Sequence, residues 1–284
     1  MSLILKSAMP DIATKPHPQL GRQDLLFEGL VCDLQWATLH SGILAAVLAA
    51  KCQAQSTWSL RSWRHLLMND ANVALLVLRY SNEMRLTPST SERAKRFYSE
   101  LNDAIASSAP VFSKDYPSNA LRRQVSSMLK LWQDMGRTGG QTLKDLSGEI
   151  ANRLSSCYVA NNATILTFLD SALSGTSGLV SAHGEIAFPR LAQRRHTVRV
   201  ALKHDCVIRF ATEKILAQVI DVSSQGVGLS CARHLPEDQS ITIELDNGRQ
   251  LMANVVWQNS GRAGLKLLEP LGNNDPLLIA AFVT

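Results

Sequence analysis

The apolar positions of this chain change their period once, and that change divides it. Up to residue 173 they recur three and four apart, which puts them on one face of a helix; beyond Pro189 they alternate with polar residues, as on a half-buried strand. Helices are predicted over 24–52, where Ala and Leu dominate, over 59–68, and over 71–85, where Val73, Leu76, Val77, Tyr80 and Met84 share a face. Ser89-Thr90-Ser91-Glu92 reads as a capping box, with Phe97, Leu101 and Ile105 on the inner side of the helix it opens. A break is expected between Pro110 and Pro117. After it Leu121, Val125, Met128, Leu129, Trp132 and Met135 keep helical spacing as far as Gly136, with Gly139 and Gly140 behind the stop. Leu143, Leu146, Ile150, Leu154 and Tyr158 resume the period, and a last helical stretch covers 163–173. The expectation is a helical bundle or array.

Ser174-Gly175-Thr176-Ser177-Gly178 neither packs a core nor holds helix geometry, so a linker is predicted over 174–189. In the last third Ile241, Ile243 and Leu245 alternate with Thr242 and Glu244, and Asp246-Asn247-Gly248 supplies a hairpin turn. Leu251, Ala253, Val255 and Trp257 form the return strand, whose place in the sheet favours a core role for Trp257 over contact with a ligand; Asn259-Ser260-Gly261 turns into a strand over 264–268. Asp275 before Pro276 caps a short terminal helix. The fold class is α+β with two domains: an all-α domain at 24–173, preceded by an arm at 1–23, and a six- or seven-stranded antiparallel β-barrel within 190–284.

With 284 residues the chain can bury two cores, and 45% hydrophobic content excludes a disordered polymer. The net charge of +5 is too small and too dispersed for a general nucleic-acid scavenger. Arg190, Arg194, Arg195 and Arg199 form the one local basic group, which suits a small anion better than a duplex. Cys32, Cys52, Cys157, Cys206 and Cys231 are odd in number and far apart, as expected of buried thiols in a reducing compartment. No signal-peptide core follows Met1, and polar residues interrupt the apolar stretch 29–50, which reads as a buried helix and not a membrane span. The chain is expected to be cytoplasmic.

Two motifs stand at the head of the strand-like third: Arg195 and Arg199, spaced RxxxR, then Asp221, Ser223 and Gly226, spaced DxSxxG. The ordered pair on a strand pattern resembles the PilZ domain. That resemblance implies a small β-barrel that receives the bacterial second messenger cyclic di-GMP, with the arginine loop wrapping the ligand at the mouth of the barrel. Arg195 and Arg199 are then the principal phosphate and guanine contacts and Arg194 an auxiliary one. Guanidinium suits the ligand, since it binds phosphate, pairs with guanine O6 and N7, and stacks on a base. Asp221 can accept the guanine N1 and N2 hydrogens, Ser223 adds a short hydroxyl, and Gly226 and Gly228 admit close backbone approach or a conformation that a side chain would block.

No catalytic or metal constellation emerges. His17, His40, His65, His183, His204 and His234 lack paired metal spacing, and no phosphate loop is present. Glu28 with Asp33, and Asp145 with Glu149, read as solvated pairs; Trp58, Trp63 and Trp132 read as bundle core. The resulting expectation is a non-enzymatic cyclic di-GMP receptor without cofactor or metal, whose helical domain binds a protein partner and which does not bind DNA. A nucleotide-independent protein adapter and a single-stranded nucleic-acid barrel are the alternatives. The latter is disfavoured by the lack of interleaved aromatics.

Overall fold

The computed structural model describes residues 22–53, 58–67, 74–75, 77–113, 118–174, 179–181, 183–192, 200–237, 239–272 and 275–283. The helical half is built from α1 (Arg22–Gln53), α2 (Pro88–Ser113), α3 (Ser118–Arg153) and α4 (Ser156–Leu173), with 3-10 turns at Leu60–Leu67 and Leu78–Tyr80. Packed against α3 and α4, α1 is apolar nearly all round: Phe27, Leu30, Leu34, Ile43 and Val47 are all fully buried. Its segment Leu26–Gln53 is long and apolar enough to cross a membrane, but 89% of the most apolar window is buried inside the protein.

Local signals misplace several boundaries. The helix expected over 71–85 gives way after Tyr80 to a turn in which the Leu86 amide donates to Ser81 O at 3.0 Å; Arg153 Nη1 pins that turn through Met84 O at 2.7 Å. The cap of α2 is Thr87, whose hydroxyl accepts the Thr90 amide at 3.3 Å with Pro88 in the first turn; Glu92 reaches Lys95 instead of the predicted Ser89 box. Pro110 does not end α2, because burial of Val111 and Phe112 holds its last turn in place.

The largest difference is α3, one helix of 36 residues that runs straight through the predicted stop at Gly136, Gly139 and Gly140. These glycines are places of contact between helices, not breaks. A Cβ on Gly139 would stand 2.5 Å from Thr38 Oγ1 on α1 and 3.0 Å from Phe97 on α2. Close packing with two neighbours thus outweighs the roughly 1 kcal/mol that glycine costs a helix interior. Gly139→Val is expected to destabilise the helical half by about 1–3 kcal/mol through overpacking, read as an earlier calorimetric unfolding transition.

Glu28 and Asp33 are not solvated. Both are buried on α1, where Tyr158 Oη donates to the Glu28 carboxylate, and Tyr98 faces Asp33. Burial first, and then the Asp33 charge, pushes the Tyr98 phenol well above the usual tyrosine range. Gln35 Nε2 donates to Tyr158 O at 2.9 Å, so α1 and α4 share a polar interior seam. Asp145 and Glu149 pair with separate cations, Arg93 at 2.6 Å and Arg153 at 3.5 Å. Trp132 and Trp63 are buried and Trp58 is partly so, in accord with a bundle-core role.

The described part of the predicted linker folds back on itself. Val180 and Ile186 form an antiparallel bridge around Gly184, which has φ 81°. Phe188 then meets Trp63 on the Leu60–Leu67 turn, and Leu191 is buried.

The second half is a closed antiparallel barrel of six strands: β1 (Val200–Phe210), β2 (Glu213–Ser223), β3 (Gly226–Cys231), β4 (Ile241–Leu245), β5 (Gln250–Asn259) and β6 (Arg262–Leu267), joined in the order β1-β2-β3-β6-β5-β4. Closure leaves no strand edge exposed. Ile208, Val219, Val222, Val227, Leu229, Ile241 and Ile243 fill the interior. The final helix, α5 (Pro276–Val283), packs on β1 and β2, and Asp275 caps it by accepting the Leu277 amide at 3.0 Å. The same carboxylate holds Arg249, whose Nη1 lies 2.6 Å away.

No disulfide forms among the five thiols; Cys32, Cys206 and Cys231 are buried, Cys52 and Cys157 half-buried. Burial, then the neighbouring Cys231, pushes the Cys206 thiol up to about 11. The folded barrel therefore keeps a proton that the unfolded chain releases at a lower pH. This contribution to stability is complete below the unfolded pKa and is lost as pH rises toward 11. Cys206 is expected to resist alkylation at pH 8 until the barrel unfolds, as read by peptide mass spectrometry.

Candidate functional site

Asp221 and Ser223 end β2, and Gly226 and Gly228 begin β3, so four of the seven predicted site residues lie on one tight hairpin. The other three, Arg194, Arg195 and Arg199, lie outside the described residues, as does His196. Val200, which follows Arg199 in the chain, is paired with Val222, and Ala201 is paired with Asp221. Irregular register between Ala201 and His204 on β1, and between Val219 and Asp221 on β2, marks bulges on both strands here. Bulges commonly re-aim side chains next to functional sites.

Each motif residue has a definite local task. Ser223 is buried, and its hydroxyl donates to Gly226 O at 3.2 Å, closing the turn. The backbone of that turn is held from the other side: Ser224 O accepts the Leu271 amide at 2.7 Å and Gln225 O the Leu267 amide at 3.0 Å. Gly226 permits close contact of β3 with β6, since a Cβ there would stand 2.6 Å from Leu265 O. Gly228 lies under Asp221, whose Oδ2 would be 2.4 Å from an added Cβ.

Register extends this arrangement across the sheet. Asp221 pairs with Gly228, Gly228 with Gly264, and Gly264 with Trp257. Paired residues point to the same side of a sheet, so a carboxylate and an indole flank a floor of two glycines. The indole covers Gly264, with Nε1 2.0 Å from where a Cβ would be. Trp257 is 45% exposed and Val256 beside it 65%, which corrects the core assignment of Trp257. The cause is a bulge between Val255 and Trp257, which breaks the alternation of β5. Two residues along β6 from Gly264, on the same face, stands exposed Lys266.

A shallow outer face that carries a hydrogen-bond-accepting carboxylate, a flat aromatic ring and a cation can bind a base and a phosphate together. Residues 193–284 match the PilZ domain. The match begins at Gln193, just ahead of the arginine motif, and takes in the whole barrel and α5. No curated protein matches the chain. PilZ domains are cyclic di-GMP receptors, binding modules and not enzymes. Among the described residues no group of three or more His, Cys, Asp or Glu is arranged to hold a metal.

The sequence sets a ligand-facing Trp257 below a core role and gives Gly264 and Lys266 no place on this face. Gly264 was the available signal, a glycine in a predicted strand where a side chain would otherwise pack.

Proposed function

We propose that this protein is a cytoplasmic effector that binds cyclic di-GMP on the outer face of its PilZ barrel and passes the event to its helical half. The row Asp221, Gly228, Gly264, Trp257 carries this reading. Asp221 accepts the N1 and N2 hydrogens of one guanine, the glycine floor lets the base lie close to the sheet, and Trp257 offers a stacking surface. Arg195 and Arg199, with Arg194 beside them, neutralise the phosphates and reach guanine O6 and N7. Ser223 and Gly226 serve the site by holding the hairpin in shape.

Coupling follows from chain connectivity. The arginine run lies between Leu191, buried at the end of the folded-back segment, and Val200, the first residue of the barrel. A ligand that gathers the run onto the barrel changes the constraint on that segment, and through it the surface that the helical half offers to a protein partner. Such a change requires different ligand affinity in the two arrangements.

Asp221→Ala is expected to weaken binding by about tenfold or more, as the loss of a charge-assisted pair worth roughly 1.5–3 kcal/mol implies. Thermal unfolding with and without cyclic di-GMP tests it. Ligand-induced stabilisation equal to that of the wild type would reduce Asp221 to scaffolding and remove the guanine assignment.

A further inference from the structure

Three alternate residues of β6, Arg262, Gly264 and Lys266, stand on the outer face of the barrel, while Ala263, Leu265 and Leu267 are buried inside it. A strand rises about 3.4 Å per residue, so the two cations flank Gly264 at about 7 Å on either side. Gly264 is the residue that the Trp257 indole covers. A flat ring therefore lies between two cations.

The sheet itself does not neutralise them. Lys266 pairs with Gly226 and Asn254, and Arg262 with Ser230 and Asn259, so no carboxylate stands beside either one in the ladder. Both are exposed, and among the described residues neither forms an ion pair. One exposed cation is an ordinary solvated group, but these two are placed evenly about an aromatic ring that shares its face with Asp221. Each nucleoside of cyclic di-GMP carries one phosphodiester on its 5′ oxygen and the other on its 3′ oxygen, so a guanine laid on the indole brings a negative charge to each side of the ring. GTP brings phosphate to one side only. We infer that Arg262 and Lys266 each hold one of the two phosphodiesters, Arg262 through its guanidinium fork and Lys266 as a point charge. The face is thereby fitted to a nucleoside phosphorylated on both oxygens. This deepens the proposed function and rests on its reading that the outer face binds cyclic di-GMP.

Calorimetric titration of the full chain with cyclic di-GMP tests it. Arg262→Gln and Lys266→Gln are each expected to weaken binding by about tenfold, as the loss of one charge-assisted contact does. The double variant should lose about a hundredfold, because contacts to separate phosphates add. Lys266→Arg, which keeps the charge, should stay within about threefold of the wild type. Binding by the double variant should also weaken less as salt is raised. Tm should not change, since both side chains are exposed. Wild-type affinity in the double variant, or a double variant no weaker than either single one, would overturn the inference and leave the cyclic di-GMP reading intact. Absence of binding by the wild-type chain would overturn that reading and this inference with it.

Discussion

Replacing both Arg195 and Arg199 with alanine is expected to abolish measurable cyclic di-GMP binding at micromolar concentrations while leaving the barrel folded. Each guanidinium contributes charge-assisted hydrogen bonds worth roughly 1.5–3 kcal/mol. If the two act independently, their joint loss is about 3–6 kcal/mol, or two to four orders of magnitude in affinity. The strand pairs that close the barrel, from Val200 onward, are made without them among the described residues. Circular dichroism should therefore match the wild type. Full affinity in the folded double variant would show that the ligand is held elsewhere on the molecule.

Gly226→Val is expected to act through the fold and only then through the site. The added Cβ would press on the Leu265 carbonyl, a backbone atom paired within the β3–β6 ladder that has no rotamer through which to yield. The same glycine accepts the Ser223 hydroxyl that closes the hairpin. Overpacking of this kind costs about 3 kcal/mol, which for a barrel of this size lowers Tm by roughly 12–24 °C. Thermal unfolding of the isolated variant checks it. An unchanged Tm would mean that β3 and β6 separate easily, contrary to a rigid glycine floor.

The barrel was legible because its signals are local. Alternation at Ile241, Ile243 and Leu245, and a turn glycine at Gly248 with φ 78°, each depend on a few consecutive residues, and all appear where expected. What stayed hidden depends on register between strands distant in sequence. Gly264 and Trp257 join Asp221 only because β3 pairs with β6 and β5 carries a bulge, and no spacing along the chain states either fact. The helical half shows the converse error. Gly136, Gly139 and Gly140 carry a strong local signal to stop, and tertiary packing against Leu173, Thr38 and Leu169 overrides it. Glu28 and Asp33 read as solvated because their tyrosine partners sit on other helices, Tyr158 more than a hundred residues away. Burial of a carboxylate is decided by such partners and not by its neighbours in sequence.

On the proposed function, the C-terminal barrel recognises cyclic di-GMP as a guanine dinucleotide and not as a generic anion. Calorimetric titration of the full chain with cyclic di-GMP, GTP and a single-stranded oligonucleotide at one ionic strength tests it most directly. Saturable heat with cyclic di-GMP, lost in Arg195→Ala/Arg199→Ala and not reproduced by the other two ligands, is the predicted result. Absence of binding, or equal binding of GTP or the oligonucleotide, would contradict it.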